Sequence, residues 1–351
     1  MNFLTKLINI FIMKTIAFLY NVRHHYPEAN DYKNQLQGDF DDPITIRWQI
    51  KHLKNLGFNV IPIEANEEAY LKLYRLKKKI NLVFNIAEGL HGKDRELQIP
   101  AMLEMLQIPY TGSSPLTHAF SLNKEKAKEV FIANGIPTPI YQVFQTYKDS
   151  LSGNLKFPLI VKPIAEGSSM GITNKSVVYD EDSLRRQVKK IITTFNEPAI
   201  VELFLEGREF SVSMLGNPPQ ILPIIESDHK MLPKKYQSID SLEVKWYFED
   251  KNLDYLICPA KIDIKLQKKL EKISYKIWQA LEVLDWGRID IRCDRKDNPF
   301  VLEINSPPGF APPEASLSSY FPLAGRAAGL DYEKVMLGII QSAAKRYGLK
   351  I

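Results

Sequence analysis

The sequence predicts an α/β protein of two or three domains, the first of them built on a parallel sheet. Three observations predict it. Short apolar runs alternate with helical apolar spacing over residues 15–86, the strand–helix–strand order that crossover connections require. Strand-like runs then recur after residue 113 with helices between them. The length, 351 residues, exceeds what one hydrophobic core usually spans.

The elements follow in order. Residues 15–20 are an apolar run that reads as a buried strand, and 44–56 carry helical spacing that ends at Gly57, a natural terminator. Strand 59–62, helix 67–76 and strand 80–86 continue the alternation, and helix 97–106 with strand 109–110 close the unit near Gly112. A second unit begins around Ser113. Asn123 caps a helix over 124–134 that Gly135 ends. Strands 140–144 and 159–163, helix 181–194 behind Asp180, and strands 199–203, 209–215 and 221–225 follow. Residues 227–256 are polar, lysine-rich and poorly periodic, and so long a loop in a compact protein is usually functional, such as a lid. Helix 264–284, strands 288–292 and 300–304, a Pro-rich stretch 306–322 and helix 332–347 complete the chain, with no internal repeat.

Composition narrows the function. Hydrophobic residues make up 45% and charged residues 25%, as in an ordinary soluble protein with real cores. A net charge of +5 over this length is no footprint of nucleic-acid binding. Lys77–Lys79 reads as a solvated helix end. Cys258 and Cys293 fit no zinc or disulfide pattern, which makes a reducing, cytoplasmic location the default. Residues 3–13 are apolar with one lysine and too short to span a bilayer. They read as an extension before the first strand, with Met13 an alternative start and a weak signal peptide the lesser reading.

Three stretches carry chemistry. In FPLIVKPIAEGSSMGI, residues 157–172, Lys162 ends an apolar strand, where α/β proteins bind ligands. Gly167, Ser168, Ser169 and Gly171 let backbone N–H groups approach an anion. The strict Gly-Lys-Ser/Thr phosphate loop is absent, and a Gly-Ser loop is as often a plain turn. In WGRIDIRCDRKDNPFVLEINSPPG, residues 286–309, Arg288, Asp290 and Arg292 share one strand face, and Glu303 and Asn305 share another. A turn at Asp297-Asn298 would set Asp290 beside Glu303 and Asn305, hard oxygen ligands of the kind Mg²⁺ takes with nucleotide phosphates. Ile289, Ile291, Leu302 and Ile304 read as core-facing, and solvated half-exposed strands are the bland alternative. In VELFLEGREFSV, residues 201–212, Glu202 and Glu209 flank an apolar Phe204-Leu205 patch that could hold an adenine and ribose; solvated hairpin acids are the alternative.

In this order and spacing, the three stretches resemble the ATP-grasp superfamily, and most closely the D-alanine–D-alanine ligases, over most of the chain after about Asn81. The resemblance implies a three-domain ATP-grasp architecture. An N-terminal Rossmann-like domain (1–112) would precede two α+β domains (113–200 and 201–351) that clamp ATP. It implies that Lys124 and Lys162 hold ATP phosphates under a loop carrying Ser168 and Ser169. It places Glu202, Phe204, Leu205, Glu209 and Leu302 at the adenine and ribose. Asp290, Glu303 and Asn305 would bind two Mg²⁺ ions, with Mn²⁺ an alternative. Arg288 and the Gly309 N–H would steady an oxyanion, and Lys245 in a mobile loop would reach the γ-phosphate. The implied reaction joins a carboxylate to an amine through an acylphosphate, and by the same resemblance the protein is a homodimer acting on small molecules, with neither nucleic acid nor membrane as partner.

The departures from that family lie on the amino-acid side. The Gly-Gly-x-Ser…Glu segment is replaced by YNVRHHYPEAND, residues 20–31, where Glu28 is the one substitute for the family's glutamate. Glu88 stands in the place of a histidine, with His91 three residues late, and Trp246 replaces a tyrosine. The stretch APPEASLSSY runs several residues longer than its family counterpart, which leaves Ser318 and Ser319 as candidates for a substrate carboxylate. Glu88 and Glu28 would bind an ammonium, and Arg95 or Arg23 a carboxylate; a Glu88–Arg95 salt bridge is the bland reading. The expectation is an amino-acid or small-acid ligase that does not make D-Ala-D-Ala. A true D-alanine–D-alanine ligase and a nucleotide-binding regulator without turnover are the alternatives.

Overall fold

The computed structural model describes residues 14–24, 37–244 and 255–351. Three sheets organise them. In the first, β1 (Thr15–Tyr20) lies between β2 (Asn59–Glu64) and β3 (Leu82–Asn85), all parallel. The crossovers are α1 (Pro43–Asn55) and α2 (Ala69–Leu76), and α3 (Gln98–Leu106) follows. Every side chain of β3 is buried, as a parallel strand covered on both faces requires.

The chain then enters α4 (Pro115–Leu122) and α5 (Lys124–Ala133). The first of these was not foreseen, although Ser114 and Pro115 are a start signal: the serine side chain accepts from the Thr117 N–H. The second sheet is antiparallel and runs β4 (Tyr141–Phe144), β7 (Ala199–Leu203), β5 (Leu159–Pro163), β6 (Val177–Val178), with α6 (Glu181–Phe195) packed on it. The expected division at residue 200 therefore runs through β7.

The third sheet orders β11 (Leu256–Ile257), β10 (Ile225–Ser227), β8 (Glu209–Leu215), β12 (Trp286–Cys293) and β13 (Pro299–Asn305), with β9 (Gln220–Ile221) beside β8. The single strand expected over 221–225 is two, because Pro223 lies between them and cannot donate to a ladder. Helix α7 (Ile264–Ala280) ends earlier than its apolar run implies: Glu282 and Asp285 turn left-handed and lead directly into β12. The Pro-rich stretch leads into α8 (Tyr320–Ala327), and α9 (Tyr332–Arg346) closes the chain.

One hydrophobic cluster serves the first sheet, the third sheet and the C-terminal helices together, joining Phe18, Phe84, Trp286, Phe310 and Ile339. The second sheet keeps a core of its own, from Phe144 to Val201. Fully buried Asp285 staples the shared block. Its carboxylate accepts from the Gly112 N–H at 2.9 Å, Arg346 at 2.7 Å, Asn217 at 2.6 Å and Ser342 at 2.9 Å. Among the described residues no helix is long and apolar enough to cross a membrane.

Candidate active site

A cavity of about 240 Å³ lies between the second and third sheets and reaches the loops of the first. The strand end that carries Lys162 opens into it. Lys162 Nζ lies 2.8 Å from Glu202 Oε2, and Lys128 Nζ lies 3.1 Å from the other carboxylate oxygen. All three side chains are buried. Burial works to raise the Glu202 carboxyl, but the two ammoniums overcome it and hold it at about 2. Glu202 is thus the counterion of a lysine pair rather than an open acceptor for a nucleoside, because two buried ammoniums need one. Lys128, which the sequence reading passed over, carried a signal: it lies four residues after Lys124 and so shares its helix face.

The loop after β5 lines the cavity through Gly167, Ser168 and Ser169. Both serines adopt left-handed backbone (φ 45° and 61°), a conformation that non-glycine residues rarely adopt and that costs of order 1 kcal/mol each. Ser169 Oγ donates to the Asp240 carbonyl at 2.6 Å. Lys124 Nζ donates to the Glu166 carbonyl at 2.5 Å and lies 3.5 Å from Glu303.

The β12–β13 hairpin brings Asp290 opposite Glu303 and Arg288 opposite Asn305. The register shifts between Asp290 and Ile291, so that Asp290 faces Glu303 while Ile291 faces Val301. That bulge breaks the strict alternation. Leu302, whose spacing puts it with the core, turns into the cavity beside Glu303, while Val301 and Ile304 stay in the core. Asp290 accepts from Ser211 Oγ at 2.6 Å, Asn305 Nδ2 at 2.9 Å, and Arg288 through Nε (2.9 Å) and Nη2 (2.8 Å). Arg288 Nη1 makes no hydrogen bond among the described residues, and the residue lines the cavity. Burial would lower the guanidinium, but Asp290 outweighs it and keeps it charged.

Among the described residues no three His, Cys, Asp or Glu side chains gather closely enough to hold a metal by themselves. Two facing carboxylates and an amide still fit Mg²⁺, which commonly takes one or two protein carboxylates and completes its shell with phosphates and water.

Phe204, Leu205 and Leu302 share the cavity wall with Ile160 and Ile239. Arg292 stacks 5.0 Å from the Phe204 ring centroid and binds Glu209 Oε2 at 2.6 Å, so Glu209, like Glu202, is committed to a cation. Gly309 lines the cavity, and a Cβ there would meet nothing within 4 Å.

The cavity wall also carries an acidic group, Asp39, Glu88, Glu96 and Glu166. Arg95, expected to meet a substrate carboxylate, already has partners of its own. It binds Asp39 at 3.0 Å, Glu166 at 3.1 Å and the Ala165 carbonyl at 3.0 Å, and no ion pair joins it to Glu88. Arg23 is likewise engaged by the carbonyls of Gln37, Gly38 and Phe40. Burial, then the charges of Glu96 and Asp39, push the Glu88 carboxyl well above the ordinary range. Beside this ring, burial and Glu166 push Glu197 up to about 7. Ser318 and Ser319 do not line the cavity: Ser318 meets Ser316, and Ser319, just ahead of α8, has its Oγ 3.5 Å from the carbonyl of cavity-lining Gly309. Their neighbour Tyr320 lines it instead. Lys245, Trp246 and Glu28 lie outside the described residues.

Comparison with known proteins completes the picture. The family described as D-ala D-ala ligase C-terminus matches residues 130–341. The chain belongs to the D-Ala–D-Ala ligase-like family of the ATP-grasp superfamily. It is 34% identical to a D-alanine–D-alanine ligase of Aquifex aeolicus, over 83% of this chain and 91% of that one. It is 37% identical to an uncharacterised protein, y4sG, of Sinorhizobium fredii, over 78% of this chain and 77% of that one. The crystal structure of a D-alanine–D-alanine ligase from Bacillus anthracis, complexed with ATP, superposes with a TM-score of 0.71 at 23% identity, covering 95% of this chain and 99% of that chain. The fold is accordingly a multidomain α/β ATP-grasp fold, and the class is that of ATP-binding carboxylate–amine ligases.

Proposed function

We propose that this ATP-grasp ligase activates an amino acid or related small acid as an acylphosphate and joins it to an amine, and that D-Ala-D-Ala is not its product. The observation that carries the reading is Arg288: its charged guanidinium keeps Nη1 unbonded among the described residues, in the same cavity as the lysine pair and the hairpin carboxylates.

In this reading Lys124, Lys162 and the 167–171 loop hold the triphosphate, and Phe204, Leu205 and Leu302 hold the adenine. Asp290, Glu303 and Asn305 hold magnesium. Bound Mg²⁺ neutralises phosphate charge. A substrate carboxylate oxygen attacks the γ-phosphorus, and ADP leaves. The amine nitrogen then attacks the acyl carbon. Arg288 and the Gly309 N–H donate to the oxyanion that forms. The carbonyl re-forms as phosphate leaves, and loss of a proton from nitrogen leaves the amide. Residues 228–244, whose Ile239 and Asp240 line the cavity, cover the site and exclude the water that would hydrolyse the acylphosphate. The three sheets correspond to three domains, with the strand Ala199–Leu203 assigned to the second.

The acidic group supports the choice of substrate. The cavity offers Glu88 for a substrate ammonium, and the departures from the family pattern lie on the amino-acid side. The relatives named as D-alanine–D-alanine ligases favour the competing reading. Incubation with Mg-ATP and pairs from a panel of D- and L-amino acids decides between them, with released phosphate and amide product as readouts. Amine-dependent phosphate release is expected. D-Ala-D-Ala as the fastest product would overturn the substrate proposal, and no stimulation by any pair would leave a nucleotide-binding regulator.

A further inference from the structure

We infer that Asp240 is a positioning residue that, through Tyr320, sets the Arg288 guanidinium for the amide-forming step; the inference rests on the ligase reading above. Asp290 grips Arg288 along one edge only. The guanidinium also lies 4.9 Å from the centroid of the Tyr320 ring, which serves as its shelf. Tyr320 opens α8 after the Pro-rich stretch, so the hairpin itself does not fix the ring.

Asp240 holds it. Tyr320 Oη donates to Asp240 Oδ2 at 2.6 Å, with Ser227 Oγ at 3.2 Å and Tyr255 Oη at 3.4 Å. The second carboxylate oxygen is 2.7 Å from His229 Nε2, so the carboxylate is itself braced. The main-chain carbonyl of the same residue accepts from Ser169 at 2.6 Å. One residue therefore grips the phosphate loop with its backbone and the shelf under Arg288 with its side chain. The two arms serve different half-reactions. The carbonyl arm orders the loop over the phosphates, which acylphosphate formation needs. The carboxylate arm orders the oxyanion donor, which amine attack needs.

The test separates those halves. Positional isotope exchange in ATP labelled with ¹⁸O at the β,γ-bridge reports reversible acylphosphate formation, and amide product reports the second step. An active pair from the amino-acid panel supplies the substrates. Tyr320→Phe and Asp240→Asn are expected to slow amide formation about tenfold or more while exchange stays within about twofold. Tyr320→Leu, which removes the ring as well as the hydroxyl, is expected to lose more than Tyr320→Phe. Ser169→Ala is expected to slow exchange. Unchanged amide formation in both Tyr320→Phe and Asp240→Asn, or an equal fall of both steps, overturns the inference. No exchange by the wild-type protein with any acid removes the ligase reading and this inference together.

Discussion

Two groups of cavity-lining residues treat charge in opposite ways. In the first, around the hairpin and the lysine pair, each buried carboxylate has a cation assigned: Glu202 has Lys128 and Lys162, Glu209 has Arg292, and Asp290 has Arg288. In the second, Asp39 and Glu166 share Arg95, while Glu88 and Glu96 face the cavity as well. A balanced site is set to hold a ligand that arrives with its own counterions, as a magnesium nucleotide does. An unbalanced acidic one is completed by a cationic group. In the proposed reading, chemistry belongs to the first group and choice of substrate to the second.

The largest test of this contrast is Arg288→Ala. Amide formation is expected to fall about 10²- to 10³-fold with little change in the KM for ATP, measured by steady-state kinetics. Glu202→Gln comes next: it leaves two buried ammoniums without a counterion and is expected to cost about 3 kcal/mol in denaturant unfolding. If the balance in that group were incidental, the loss would be absent.

Glu88→Gln probes the other group. The KM for the amino substrate is expected to rise about tenfold while that for ATP holds. Because the Glu88 carboxyl titrates above its ordinary range, wild-type affinity for a cationic substrate should climb as pH rises through that raised value. The Gln variant should give a flat profile.

The smallest effect is on stability. Glu197 is raised from 4.5 to about 7, so the folded state binds more protons than the unfolded state between those values. Stability therefore falls as pH climbs through that window. Glu197→Gln should raise the melting temperature by about one or two degrees at pH 8, and the gain should vanish near pH 4.5. An equal gain at both pH values would show that ionisation is not the cause.

The same division marks what the sequence could reveal. The hairpin that pairs Asp290 with Glu303 was legible because strand side chains alternate with period two, and Lys162 because it ends an apolar strand. The bulge beside Asp290 was not legible: it arises from how β13 pairs with β12, and Leu302 alone does not announce it. Nor could chain order show that Arg95 is consumed by Asp39 and Glu166, partners 56 and 71 residues away. Glu202 and Glu209 both line the cavity, but their commitment to cations depends on helix α5 and strand β12 arriving beside them. Tyr320 sits inside the Pro-rich stretch, where no periodicity marks the start of a helix.

The staple at Asp285 has a mechanical consequence. Since it ties Gly112, Asn217, Ser342 and Arg346 to one point, and since one oily interior runs beneath the first and third sheets, those two are built as a single block. The second sheet, with its separate interior, stands outside that block, so loosening one of the two cores need not loosen the other.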